Sequence, residues 1–145
     1  AAPYGIAGHT VLSASNCLSA DVGAASDPTF ADVNEPRNAA YVNYGPVILK
    51  FTGSRGKGGT SDASAEFMGE VRRLLDREGV VWQCCELGKV DAGGGGTLAM
   101  YLPSLNMDVV DLGVPVLSMH SPFEVVSKLD VYMAYRAFKA FFEEK

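Results

Sequence analysis

The sequence has little histidine, little cysteine and no long apolar run, and each scarcity excludes something. Of its two histidines, His9 lies in a glycine-rich leader, which leaves His120 as the one placed for metal binding or acid–base work. The three cysteines are an odd number, and adjacent Cys84 and Cys85 are awkward to join, so a disulfide framework is disfavoured and a reducing cytoplasm fits best. No run reaches the ~18 to 20 apolar residues of a membrane span, and a signal peptide is not recognisable at the start.

Positive charge is also scarce. Twelve basic against seventeen acidic residues give a net charge of −5, which disfavours nucleic acid as a partner, and the basic cluster at 55–57 is too short to change this. The length of 145 residues and the 48% hydrophobic share predict one globular domain over residues 1–145, with 1–10 as a weak leader rather than an independent element. The first residue is not Met, which is typical of an excerpt from a longer protein.

Strands and helices alternate along the chain, which predicts a mixed, mostly parallel sheet with helices on its faces. Residues 11–18 fit either a helix or the approach to a strand, and a long turn-rich loop runs on to Asn43. Strands are predicted at 45–52, 80–85 and 109–119, and helices at 62–77, at 97–107 with an interruption at Pro103, and from Asp130 onward. Cys84 and Cys85 are expected in a strand interior.

Two helices carry apolar residues at helical spacing. The helix at 62–77 is expected to be capped by Ser61 or Asp62 and stopped by Gly79. Its apolar residues Phe67, Val71, Leu74 and Leu75 are expected in the core. The apolar positions that recur in the last helix are Val131, Tyr135, Phe138 and Phe142.

His120 and Asp21 both stand where a predicted strand gives way to a turn. His120 follows the apolar run 114–119 and precedes Pro122. In α/β folds, active-site and ligand-binding residues are commonly found at such strand ends. One Asp and one His at the ends of two strands could form part of a metal-binding site. The structural alternatives are a hydrogen-bonded histidine and a turn-capping aspartate.

The glycine run Gly93–Gly96 precedes Thr97 and could present bare amides to an anion or a substrate backbone. It lacks the Lys–Ser/Thr ending of a phosphate loop and the spacing of a dinucleotide fingerprint, and Asp91 would repel phosphate. A tight turn passing close to a neighbouring segment is the favoured interpretation, and a substrate-facing turn is the alternative. No Gly-x-Ser-x-Gly elbow supports serine hydrolysis.

Several segments together resemble one family: Ser19-Ala20-Asp21-Val22 with Asp27-Pro28, the strand with Lys50, the turn 93–97, the segment 111–124 with Met119-His120-Ser121 and Glu124, and residues 137–142. They look like the C-terminal part of the aspartyl aminopeptidase (aminopeptidase I) family of zinc exopeptidases. Clostridial-type members resemble the chain best, through 53–57 and 87–91. Glutamyl-type aminopeptidases, which also end in His-Ser-Pro-x-Glu, are the alternative within this class.

The resemblance implies part of a three-layer α/β/α catalytic domain that removes N-terminal residues from peptides. In a two-metal site, Asp21 would bind one zinc and His120 the other, with cobalt and manganese as alternative metals. Lys50 would face an acidic substrate side chain, and Gly94, Gly95, Gly96 and Thr97 would line the substrate cleft.

The family's remaining ligands and its general-base glutamate lie upstream of Ala1, so the resemblance places no catalytic residue in this chain. The chain alone is therefore expected to be inactive and to hold zinc poorly. Ala24 stands where aspartyl members have a substrate-binding histidine, which leaves the substrate preference open.

The implied partners are a peptide substrate, the missing upstream part of the domain and further copies of the chain, since the family is commonly dodecameric. The alternative function is a non-catalytic α/β interaction domain, or a truncated paralogue in which Asp21 and His120 are relic ligands. An anion-binding module built on the glycine turn is a third hypothesis, against which the acidic balance argues.

Overall fold

A computed structural model describes residues 2–55, 58–89 and 91–144 of the chain. Three α-helices and ten short strands lie in these ranges, joined by 3₁₀ turns. The helices are α1 (Gly8–Ser13), α2 (Ala65–Arg77) and α3 (Lys128–Glu143). The strands are β1 (Asn16–Ser19), β2 (Gly23–Ala24), β3 (Val47–Leu49), β4 (Phe51–Ser54), β5 (Gly58–Asp62), β6 (Gln83–Cys84), β7 (Gly94–Gly95), β8 (Asp108–Gly113), β9 (Pro115–Leu117) and β10 (Val125–Val126).

The strands form one four-stranded sheet and two three-stranded sheets. The larger has the order β1-β8-β3-β6, and the smaller ones have the orders β10-β9-β2 and β5-β4-β7. β8 runs parallel to β1 and antiparallel to β3, and β3 runs parallel to β6. The predicted mixed α/β class is confirmed. A parallel majority holds in the four-stranded sheet, whereas the two small sheets are mostly antiparallel.

The main core lies between the four-stranded sheet and the two long helices. Ile48, Val110 and Leu112 of the sheet pack with residues of α2 and with Ala137 of α3. Val47 and Leu49 point to the other face, where they meet Ala40 and Cys85. Within the described residues, α2 and α3 therefore share one face of the sheet, and loops rather than a second long helix cover the opposite one.

The helix α2 agrees with its sequence pattern except at its first turn. The four apolar residues expected in the core are buried, and Gly79 follows the helix with a φ of +60°. The cap is neither Ser61 nor Asp62. Ser64 is the N-cap, and its hydroxyl accepts a hydrogen bond from the Phe67 amide at 3.2 Å.

The helix α3 buries a face of mostly small residues rather than its large apolar side chains. It begins after Ser127, two residues before Asp130, and its buried residues are Asp130, Ala134, Ala137 and Ala140. Of the apolar residues whose spacing predicted this helix, Val131, Tyr135 and Phe142 are exposed and Phe138 is partly buried. The small alanines let α3 approach the sheet and α2, which larger side chains would hold apart.

Three smaller expectations also need correction. The predicted helix at 97–107 is two 3₁₀ turns, Leu98–Met100 and Leu102–Leu105, the second ending at Asn106 in a left-handed conformation. The strand predicted at 80–85 is only Gln83–Cys84. Cys84 is exposed on this edge strand, so only Cys85 of the pair is interior.

Within the described residues, no helix combines the length and the apolar character that crossing a membrane requires.

Candidate functional site

His120 lies in a tight loop between the paired strands β9 and β10. Ser118 and His120 both have positive φ, +58° and +66°, and the Ser121 amide donates to the Ser118 carbonyl at 3.0 Å. The backbone amide of His120 donates to the Glu124 carboxylate at 2.5 Å. A left-handed backbone costs a non-glycine residue about 1–2 kcal/mol, and the bond to Glu124 offsets this cost. The loop therefore fixes the backbone of His120, from which the exposed imidazole projects.

A cleft of about 490 Å³ opens beside His120. One wall is the loop after β2, with Phe30 and Val33, and the other is the loop that carries Leu87 and the glycine turn. Gly94 and Gly95 line this cleft together with His120, whereas Gly96, Thr97, Lys50 and Asp21 are not part of its lining. The structure thus brings three of the predicted site residues together at one mostly apolar cleft.

The glycine turn passes very close to strand β4. Gly95 and Gly94 pair with Gly53 and Ser54, and Gly94 has a φ of +104°. A Cβ atom at Gly94 would lie 1.9 Å from the Gly53 carbonyl oxygen. The predicted close approach to a neighbouring segment is confirmed at Gly94, where only glycine fits, although Gly94 and Gly95 form strand β7 rather than the turn itself.

Asp21 lies between β1 and β2, where the chain kinks. Its amide donates to the Ser19 carbonyl at 2.9 Å, and its own carboxylate accepts from the Val22 amide at 2.8 Å. The side chain is half-buried. It accordingly caps its own turn, the structural alternative for this residue, and leaves its second carboxylate oxygen, Oδ2, for another partner.

Asp111 is a buried carboxylate of this region whose chemistry the sequence analysis missed. It is 1% exposed, pairs in register with Ser19, and its Oδ2 atom accepts from the Thr97 hydroxyl at 2.8 Å. Burial raises the pKa of Asp111, the negative charge of Asp21 raises it further, and the Ser19 and Thr97 hydroxyls oppose these effects. Oδ1 has no hydrogen-bond partner among the described residues, and an unpaired buried oxygen costs about 1–3 kcal/mol.

A signal for Asp111 exists in the sequence. It interrupts the apolar run Val109, Val110, Leu112, and a charge in the middle of a buried strand is rarely there for stability. Asp111 enters the predicted site only through the family resemblance, and its hydrogen bond with Thr97 is visible only in the structure.

Lys50 is exposed and forms an ion pair with Asp62 of β5. The side chain therefore points along the β4–β5 hairpin rather than into the cleft at His120. Exposed ion pairs are worth about 0–1 kcal/mol, so this pair would not prevent Lys50 from reaching another carboxylate.

The described residues do not contain a complete metal centre. No group of three or more His, Cys, Asp and Glu side chains lies close enough to hold an ion within this part of the chain. A catalytic zinc needs about three protein ligands and an open position. His120 and Asp21 have the right chemistry for ligands, but by themselves they do not make a zinc site.

The fold and the cleft define a mixed α/β domain with a histidine at a strand end, and comparison with known proteins gives the family. Residues 5–142 match the model of the family described as aminopeptidase I zinc metalloprotease (M18). The chain belongs to this family, which confirms the resemblance. The family is one of zinc metalloproteases.

Individual relatives agree with the assignment of the chain to this family. The curated relative "Probable M18 family aminopeptidase 1" of Clostridium acetobutylicum is 51% identical over 127 residues, 88% of this chain and 27% of that protein. The crystal structure of an M18 aminopeptidase from Thermotoga maritima matches with a TM-score of 0.91 and 44% identity, over 94% of this chain and 30% of that chain. The chain spans less than a third of the length of these relatives.

A more distant structure shares the fold alone. PhTET1-12s, described as a dodecamer, matches with a TM-score of 0.67 and 19% identity, over 95% of this chain and 38% of that chain. Large oligomeric assemblies therefore occur among proteins of this fold.

Proposed function

We propose that this chain is the C-terminal part of the catalytic domain of a zinc aminopeptidase, and that it contributes His120 and Asp21 to a metal site completed by the rest of the polypeptide. The observation that carries the proposal is the position of His120, held by Glu124 at the mouth of a cleft that the glycine turn also lines. Zinc, when bound, would polarise the scissile carbonyl and activate a water molecule.

The residues of this chain would bind and orient the peptide. The backbone of Gly94 and Gly95 would run beside the substrate. Gly96 and Thr97, which do not line the cleft, would support this segment from the side away from the substrate. Lys50 would leave Asp62 to meet an acidic side chain at the substrate's N-terminus. Ala24, which lines the cleft where aspartyl members have a histidine, offers a substrate side chain no polar contact.

The partners in this proposal are a peptide, the remaining part of the domain, and further copies of the chain in a homo-oligomer. Exposed apolar side chains on α3, among them Val131, Tyr135 and Phe142, are consistent with surfaces that other segments cover. The three cysteines are free thiols, which supports a reducing compartment such as the cytoplasm.

One observation favours a second function. Asp21 lies outside the lining of the cleft at His120. A non-catalytic α/β interaction domain, in which Asp21 and His120 are relic ligands, would have this property.

The test uses the full-length polypeptide that carries this chain, with His120→Ala and Asp21→Ala beside the control His9→Ala on exposed α1. Zinc content and turnover of aminoacyl substrates are measured for each. We expect both site variants to lose zinc and at least about 100-fold in kcat/KM, and the control to match the parent. Unchanged zinc and turnover in His120→Ala would refute its role as a ligand and favour the interaction domain instead.

The isolated 145-residue chain supplies a second measurement. With added zinc or cobalt it should show no turnover, because the remaining ligands and the general base would be missing. Robust turnover of the isolated chain would refute the division of the site between this segment and the rest.

A further inference from the structure

Asp111 occupies a position where an apolar residue would serve the fold better. Its strand neighbours Val110 and Leu112 belong to the main core, and the carboxylate is as buried as they are. Neither Lys nor Arg forms an ion pair with it among the described residues. A buried acid with an unpaired oxygen and no cation calls for a role other than packing.

The contacts of Asp111 link the two halves of the site described above. On one side, the Thr97 hydroxyl donates to its Oδ2 atom at 2.8 Å, and Thr97 directly follows the glycine turn. On the other side, Ser19 of β1, itself buried, pairs in register with Asp111 of β8. Ser19 stands two residues before Asp21.

A third hydroxyl extends this network to the hairpin that flanks the turn. Thr52 of β4 is 1% exposed, and its hydroxyl lies 3.4 Å from that of Thr97. The next residue, Gly53, pairs with Gly95 of the turn. Thr97 is thereby held between a fixed acceptor on β8 and a fixed hydroxyl on β4, so the end of the glycine turn has little freedom to shift.

We propose that Asp111 is a positioning residue for the peptide cleft: through Thr97 it fixes the glycine turn, and through Ser19 it holds that turn in register with the strand leading to Asp21. This inference rests on the proposed function, since it assigns Asp111 a role toward the same cleft and the same metal ligand. Asp111 itself touches neither substrate nor metal in this assignment.

The experiment again uses the full-length polypeptide, with Thr97→Val and Thr97→Ser, Asp111→Ala and Asp111→Asn. Valine keeps the volume of Thr97 without its hydroxyl, and serine restores the hydroxyl. Asparagine keeps the shape of Asp111 and an acceptor oxygen. The control is Asp130→Asn, which alters an equally buried carboxylate that binds backbone amides of the loop at 43–45.

We expect Thr97→Val to raise KM for an aminoacyl substrate about tenfold or more, because small misplacements in a site are costly, with the zinc affinity unchanged. Asp111→Ala should raise KM and also weaken zinc, since it frees both the turn and the strand before Asp21. Thr97→Ser should keep KM close to that of the parent. Asp111→Asn should keep both KM and the zinc affinity close to those of the parent. Asp130→Asn should lower the urea midpoint and leave KM as in the parent.

Two outcomes overturn the inference. One is a KM within twofold of the parent in both Thr97→Val and Asp111→Ala, with only their stability reduced. The other is a failure of the serine and asparagine variants to restore KM. If His120→Ala and Asp21→Ala lose zinc while the Asp111 and Thr97 variants behave like the parent, the proposed function stands and this inference alone fails. Retained zinc and turnover in the His120 and Asp21 variants would overturn both.

Discussion

The carbonyl oxygen of Asp21 lies directly against the α-carbon of Gly113, so that a Cβ atom at Gly113 would stand 1.2 Å from it. The register explains this contact. Ser19 pairs with Asp111 and Gly23 with Pro115, which places Asp21 opposite Gly113 at the kink between β1 and β2. A candidate metal ligand therefore depends on the absence of a side chain 92 residues away in the sequence.

Gly113→Ala should destabilise the protein by about 2–3 kcal/mol or more, because the clash is with backbone that cannot rotate away. It should also displace Asp21 and weaken zinc binding. Urea denaturation and zinc titration of the full-length polypeptide measure the two effects.

The matched control is Gly69→Ala in α2, where an added Cβ meets no atom within 4 Å. This variant should be neutral or up to about 1 kcal/mol more stable, since alanine is the better helix former. Equal behaviour of the two alanine variants would contradict the clash at Gly113.

Glu124→Ala should weaken zinc binding about 10- to 100-fold, the range seen when a supporting partner of a metal ligand is lost. The reason is that the His120 amide loses its acceptor and the left-handed loop loses the bond that offsets its strain. Competition with a chelator measures the affinity. Glu124→Gln keeps an acceptor oxygen and should retain most of it; if alanine and glutamine weaken zinc equally, the charge of Glu124 rather than its bond to the backbone is what matters.

Asp130→Ala should cost about 2–4 kcal/mol of unfolding free energy. Its carboxylate accepts from the amides of Asn43 and Gly45, each at 2.8 Å, and alanine would leave both donors unpaired. Urea denaturation checks this. The exposed turn residue Asp32 supplies the control, because Asp32→Ala should stay within about 0.5 kcal/mol of the parent. A loss at Asp130 no larger than at Asp32 would show that the loop at 43–45 is held by other contacts.

The Cys85 thiol should make the protein less stable at alkaline pH. Burial raises its pKa from 9.0 to about 12, with a further contribution from Cys84. A thiol that is harder to ionise when folded favours the folded state fully below the unfolded pKa, and this contribution is lost as the pH rises from about 9 towards 12.

The measurement is the urea midpoint between pH 8 and pH 11 for the parent and for Cys85→Ala. The alanine variant should start lower, because of the cavity it leaves, but should fall less steeply with pH. Parallel pH profiles for the two proteins would contradict the assignment to Cys85.

The parts of the fold that could be predicted were those governed by neighbouring residues. The burial of Phe67, Val71 and Leu75 follows from their spacing, because the polar residues between them leave one apolar face. The phase of α3 could not be predicted in the same way. Val131, Tyr135 and Phe142 are as apolar as the buried alanines, and only the packing against α2 and the sheet selects the smaller residues.

In the candidate site too, some features follow from neighbouring residues and others only from the tertiary structure. The position of His120 at a strand end, the need for glycine at 94 and the family itself could be read from local motifs, since turns and motifs are set by residues close in the chain. The contacts of Asp111 with Thr97 and Ser19, the closeness of Asp21 to Gly113 and the exposure of Cys84 were decided by the tertiary structure alone. They depend on which strands become neighbours, and strand pairing joins residues whose separation in sequence carries no local signal.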